Sequence, residues 1–105
     1  MAKSKRSAAI RALERAAGGP LTFGRMVRAI RLGDETTLET FARKLSVTRA
    51  NLCDIEKSRR RVSVERAAQW AKILGYHPMQ FVQLALQAQV DAAGLKLHVG
   101  VKRAP

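Results

Sequence analysis

The sequence predicts an all-α fold: a compact five-helix domain, extended by one further C-terminal helix and closed by a short C-terminal β-strand tail. Three observations carry this expectation. Apolar residues recur at i, i+3, i+4 and i+7 in successive segments, the spacing of one buried helix face. Thr, Ser, Gly and Pro stand between those segments, where helices begin and end. From Leu95 onward the period falls to two: Leu95, Leu97, Val99 and Val101 alternate with Lys96, His98, Gly100 and Lys102, the pattern of a half-buried strand.

Residues 8–17 are strong helix formers with Ile10 and Leu13 three apart, and Gly18, Gly19 and Pro20 stop them. This piece is either a short docked helix or a frayed arm, and residues 1–20 as a whole form a basic N-terminal segment. A second helix is expected from about Thr22 to Leu32, with Phe23, Met26, Val27 and Ile30 on its buried face and Arg25, Arg28 and Arg31 on the other side. Gly33 and Asp34 break it. A third runs from about Thr37 to Leu45, with Leu38, Phe41, Ala42 and Leu45 inward. Thr36 with Glu39 fits a capping box, and Thr37 is an equally good cap. Ser46 and Val47 make a tight turn, and Thr48 caps a fourth helix from Arg49 to about Lys57, anchored by Leu52 and Ile55. A basic loop, Ser58 to Arg61, leads to a fifth helix capped by Ser63, which buries Val64, Ala67, Ala68, Ala71 and Leu74 and closes at Gly75. Pro78 suits the first turn of a sixth helix reaching about Ala93. The expected organisation is therefore the arm (1–20), a central domain (21–77), and a C-terminal helix and strand (78–105) for dimerisation or partner binding.

The charge balance narrows the partners. Twenty Lys and Arg stand against 8 Asp and Glu in 105 residues, a net +12. Such an excess favours a polyanion, because each phosphate neutralised releases condensed counterions. DNA-binding domains, ribosomal proteins and membrane-surface peptides share it. The single cysteine, Cys53, allows no internal disulfide, and His77 and His98 lie too far apart in sequence for a zinc site. No metal or cofactor is expected. No secretory signal and no membrane span is expected either, so the expected compartment is the cytoplasm.

The informative segment is Thr37 to Arg60, TLETFARKLSVTRANLCDIEKSRR. Two short helices joined by a turn of a few residues form a helix-turn-helix arrangement. Ala42 is small where the second helix comes close, and Val47 plugs the turn. Phe41-Ala42-Arg43-Lys44-Leu45, Val47-Thr48-Arg49, Asp54-Ile55-Glu56-Lys57, Arg60-Arg61-Val62-Ser63 and Ala71-Lys72-Ile73-Leu74-Gly75 resemble the Cro/CI-type helix-turn-helix family, the xenobiotic-response-element class. The resemblance spans Phe23 to about Phe81. It implies a five-helix DNA-binding domain, commonly dimeric and commonly a repressor. Three positions depart from the family pattern: Ser46 and Ser58 replace glycines, and Leu38 stands where a glutamine is common.

The resemblance implies that the N-terminal residues of the helix from Arg49 read base edges in the major groove. Arg49 suits guanine and Asn51 suits adenine. Ala50 suits a thymine methyl, and Asp54 either orients Arg49 or accepts from a cytosine amine. Arg43, Lys44, Thr48, Lys57, Arg59, Arg60 and Arg61 are expected phosphate contacts, which set register without carrying sequence information. Glu56 is expected to be structural, paired with an arginine such as Arg43 or Arg25. Cys53 is expected to be a small buried or half-buried residue, and Trp70 and Tyr76 core or dimer-surface aromatics. No acid, base or nucleophile stands at a spacing useful for catalysis, so an enzyme is not expected.

The tail needs a partner, since an isolated strand is not stable. It is expected to pair with its two-fold mate or with a strand of another protein, the alternative being a disordered tail. Phe81, Leu84, Leu95, Leu97, Val99 and Val101 are the expected dimer or partner surface. The leading functional expectation is a dimeric transcriptional repressor that binds double-stranded DNA at an inverted-repeat operator. The alternatives are an antitoxin that binds a toxin protein and autoregulates its operator, and a nonspecific basic nucleic-acid protein.

Overall fold

The computed structural model of the chain describes Arg15 and residues 21–105. Apart from Arg15, the N-terminal segment expected over residues 1–20 and its helix over residues 8–17 lie outside the described residues. Those described divide into two compact units, with the boundary between Arg60 and Arg61.

The first unit holds three helices: α1 (Phe23–Gly33), α2 (Leu38–Lys44) and α3 (Arg49–Glu56). Each begins at a threonine whose hydroxyl accepts from a backbone N–H three residues on. Thr22 caps α1 through Arg25 N at 3.2 Å, Thr37 caps α2 through Thr40 N at 3.2 Å, and Thr48 caps α3 through Asn51 N at 3.1 Å. Of the two caps open at the start of α2, the structure takes Thr37. Thr36 is occupied elsewhere: its hydroxyl donates to the Asp34 carbonyl at 3.1 Å and its N–H to that of Arg31 at 3.1 Å.

The same three helices end alike. After α1, Glu35 N donates to Leu32 O and Thr36 N to Arg31 O. After α2, Ser46 N donates to Arg43 O and Val47 N to Ala42 O; after α3, Ser58 N donates to Ile55 O and Arg59 N to Asp54 O. These paired bonds define the Schellman motif, whose pivot residue adopts the left-handed conformation. Here the pivots are Glu35, Ser46 and Ser58, with φ of 54°, 59° and 60°, so three side chains sit where glycine is sterically free.

The core of this unit comprises Leu21, Phe23, Met26, Val27, Ile30, Phe41, Ala42, Leu45, Leu52 and Ile55, all buried. Gly24 is buried among them because α1 passes against the end of α3. A Cβ at that position would overlap the carbonyl oxygen of Ile55 and lie 2.9 Å from that of Glu56.

The second unit holds α4 (Val64–Leu74) and α5 (Pro78–Ala92). Ser63 caps α4 through Arg66 N at 3.1 Å, and Gly75, at φ 80°, ends it. His77 caps α5, its Nδ1 accepting from Met79 N at 3.2 Å, with Pro78 in the first turn. Val62, Ala67, Trp70, Ala71, Phe81 and Ala85 are buried, while Val64, Ala68 and Leu74 are only half-buried. Trp70 is thus a core residue. Phe81 is fully buried, its ring 5.7 Å from that of Tyr76 at a 40° tilt. This corrects its expected place on a partner surface: the first turn of α5 spends Phe81 on its own core. Leu84 is half-buried.

The tail also departs from expectation. No strand occurs among the described residues, and residues 95–105 carry no regular structure. The physical reason lies in how their backbone is satisfied. Instead of a second strand, two glutamines of α5 meet the tail: Gln87 Nε2 donates to Leu97 O at 2.8 Å and Gln87 Oε1 accepts from Val99 N at 2.8 Å, while Gln83 Nε2 donates to Val99 O at 2.9 Å. Leu95 and Leu97 stay exposed; Val99 and Val101 are half-buried.

Two stability measurements follow. Gly24→Ala should lower stability in urea unfolding by about 2–3 kcal/mol, the scale of an overpacked core that must shift backbone. Ser46→Gly should raise it by roughly 0.5–1 kcal/mol, since relief of left-handed strain outweighs the added chain entropy.

Candidate nucleic-acid interface

The interface is built on α3 and on what holds α3 in place. Glu56, its last residue, is buried, with its side chain 4% exposed. Arg31 of α1 meets it with a two-pronged ion pair, Nε to Oε2 at 2.8 Å and Nη2 to Oε1 at 3.0 Å. The remaining Nη1 donates to the Thr36 carbonyl at 3.0 Å. The expected partners of Glu56, Arg43 and Arg25, are replaced by Arg31, which lies in the last turn of α1 and half out of solvent. Arg43 is exposed in the last turn of α2. The hydrogen bonds to Glu56 raise the Arg31 guanidinium above its ordinary pKa against the opposing effect of burial. A group raised in the folded state contributes fully below its unfolded pKa. The arginine side of this pairing is therefore fully present below the unfolded arginine pKa and fails only in strong alkali.

With the end of α3 fixed, the rest of the helix turns outward. At about 100° per residue, Leu52, Ile55 and Glu56 occupy the buried arc. The opposite arc takes Ala50, Cys53, Asp54 and Lys57, with Arg49 and Asn51 at its two margins. Arg49, Ala50 and Lys57 are exposed; Asn51, Cys53 and Asp54 are half-buried. Ala50 and Asp54 therefore face outward, while Arg49, exposed in the first turn, and Asn51, half-buried, border the buried arc on its two sides. Cys53 stands on the outward side too, half-buried, one of the two placements expected of it.

Asp54 does not orient Arg49. Its nearest cation is Arg59, Nη1 to Oδ1 at 3.9 Å, with side chains 39% and 68% exposed. So open and long a pair contributes little, and it leaves Arg59 available to an anion. Thr48, Arg43, Lys44 and Arg60 are exposed around α3, and Arg61, in the second unit, is exposed as well. Leu38, where a glutamine is common, is half-buried. Among the described residues no group of His, Cys, Asp and Glu could hold a metal, no buried side-chain polar atom lacks a partner, and no helix is long and apolar enough to cross a membrane.

A family model described as helix-turn-helix matches residues 27–81. No curated protein and no solved structure matches the chain.

The ion pair gives a direct test of what positions α3. Glu56→Ala strands the Arg31 charge in a part-buried site and should cost about 3 kcal/mol in urea unfolding, whereas a joint Arg31→Met, Glu56→Leu replacement should recover most of that loss.

Proposed function

The chain belongs to the Cro/CI-type helix-turn-helix family of DNA-binding transcription regulators, and from this premise we propose that it is a dimeric repressor whose α3 reads an inverted-repeat operator in the major groove. The observation that carries the reading is the open N-terminal turn of α3, where Arg49 and Ala50 are exposed and Asn51 and Asp54 half-buried, while Leu52, Ile55 and Glu56 are buried in the fold. Arg49 supplies a fork of donors that matches guanine O6 and N7, and Asn51 pairs with adenine N6 and N7. Ala50 is small enough to meet a thymine methyl, and Asp54 accepts from a cytosine amine. Arg43, Lys44, Thr48, Lys57, Arg59 and Arg60 grip phosphates and set the depth of α3, and Arg61 supplies a further phosphate contact. Nothing in this machinery requires a cofactor, and the place of work is wherever the chromosome lies, the cytoplasm of a bacterial cell.

The dimer follows from information content. One helix of eight residues reads only a few base pairs, and a two-fold pair doubles the site. A second reading, an antitoxin that seats a toxin protein on its tail while regulating its own operator, is favoured by the exposure of Leu95 and Leu97. Co-purification of a small partner protein from the native host separates it from the first.

The test is selection of bound duplexes from a random pool, followed by titration of two variants. Recovery of an inverted repeat is expected. Arg49→Ala should relax preference at one base position by about 1–3 kcal/mol, while Arg60→Ala should weaken binding to every sequence and reduce the salt slope by about 1. Equal affinity for all duplexes would leave only a nonspecific basic protein.

A further inference from the structure

The two glutamines that meet the tail stand one helical turn apart on α5, and they satisfy Leu97 and Val99 but not the residues between and beside them. The spacing explains why. Four helical residues rise about 6 Å, and two extended residues span about 6.7 Å. Gln83 and Gln87 therefore form a rail matched to alternate peptide groups of an extended chain. In such a chain, successive residues turn their N–H and C=O to opposite sides. The odd residues face the rail, and the even residues, Lys96, His98 and Gly100, turn theirs away. Among the described residues no hydrogen bond is made by the backbone of Lys96, His98 or Gly100. In the single chain the tail is not a strand, but one side of its backbone is used by the glutamines and the other is open.

We propose that this open edge is the docking surface for a second copy of the chain, with residues 95–101 of two protomers pairing antiparallel about His98. The inference rests on the dimer reading above and supplies its contact. The residue pattern selects the occupant. In this register Leu95 meets Val101 and Leu97 meets Val99, so every apolar residue of the tail pairs with another on one face. Lys96 meets Gly100, and no lysine lies opposite a basic residue. Of the neighbouring registers that keep the even residues paired, one puts Lys96 opposite Lys102, like charges directly across from each other, and the other puts Gly100 opposite Gly94, whose φ of 75° takes it out of an extended chain. The His98 register also offers the most contact, because it uses the N–H and C=O of Lys96, His98 and Gly100 in both copies. Leu97, 62% exposed, and Leu95, 51% exposed, gain apolar neighbours that the single chain does not give them.

The experiment uses the full chain without DNA, in a Cys53→Ser background so that only the introduced thiol reacts. Residues paired on the axis have Cα atoms about 5.5 Å apart, within the disulfide window of roughly 4.4–6.8 Å. His98→Cys should therefore cross-link most of the protein into a covalent dimer under mild oxidation. Lys96→Cys, about 14 Å from its own mate in this register, should cross-link at least tenfold more slowly. His98→Pro, which removes an edge N–H and leaves every rail bond in place, should shift the sedimenting species from dimer to monomer while the helical circular dichroism stays unchanged. A dimer in which both thiols cross-link equally, or in which His98→Pro changes nothing, overturns the tail pairing and leaves the dimer reading standing. A chain that sediments as a monomer throughout overturns both, while duplex binding by α3 is judged separately by the pool selection.

Discussion

The buried pair of Arg31 and Glu56 is the constraint on which the first unit turns. Removing two charges from water is costly, and their attraction offsets that cost only when the geometry is good and the leftover donors are satisfied. Here both oxygens of Glu56 are met by the guanidinium and the third nitrogen of Arg31 finds the Thr36 carbonyl. One arginine thus ties the end of α1, the loop before α2 and the end of α3. Gly24 works with it from the other end of α1. Its missing side chain lets α1 lie directly on the last carbonyls of α3. Neither feature adds much net stability; together they allow one placement of α3 and exclude the rest.

That placement decides what α3 presents. A helix of eight residues has little intrinsic stability, and α3 depends on its cap at Thr48, its turn at Ser58 and its three buried residues. Fixing the C-terminal end by Glu56 leaves the N-terminal turn, with Arg49 and Ala50, as the free end. Sequence-reading helices use that end, where side chains meet base edges and backbone N–H groups face phosphates. The division of labour is therefore along the helix as well as around it: the first turn is open for recognition, and the last is committed to the fold.

Much of this was legible in the residues. The five helices followed from apolar spacing, and the caps at Thr22, Thr48 and Ser63 from hydroxyls placed before apolar runs. What escaped was decided by contacts distant in sequence. Glu56 reads as structural, but nothing local distinguishes Arg31 from Arg25 as its partner, since 25 residues separate the pair and α1 must first be laid across α3. Thr36 and Thr37 look alike as caps until the turn after α1 claims Thr36. The alternation from Leu95 to Val101 indicated a strand that the structure does not contain, because periodicity does not say what satisfies the backbone. Two glutamine side chains do so here, and no strand results. Phe81 shows the same limit: an apolar residue at a helix start reads equally as core or as surface.

The claim that α3 enters the major groove is tested most directly by titrating the isotope-labelled chain with a selected duplex and following backbone amide resonances. The account predicts that the largest shifts fall on residues 48–54 together with the Arg49 side chain, and that the amides of Leu52 and Ile55 move less than those of Ala50 and Asn51. Shifts confined to residues 78–105, with α3 unchanged at saturating duplex, would contradict it.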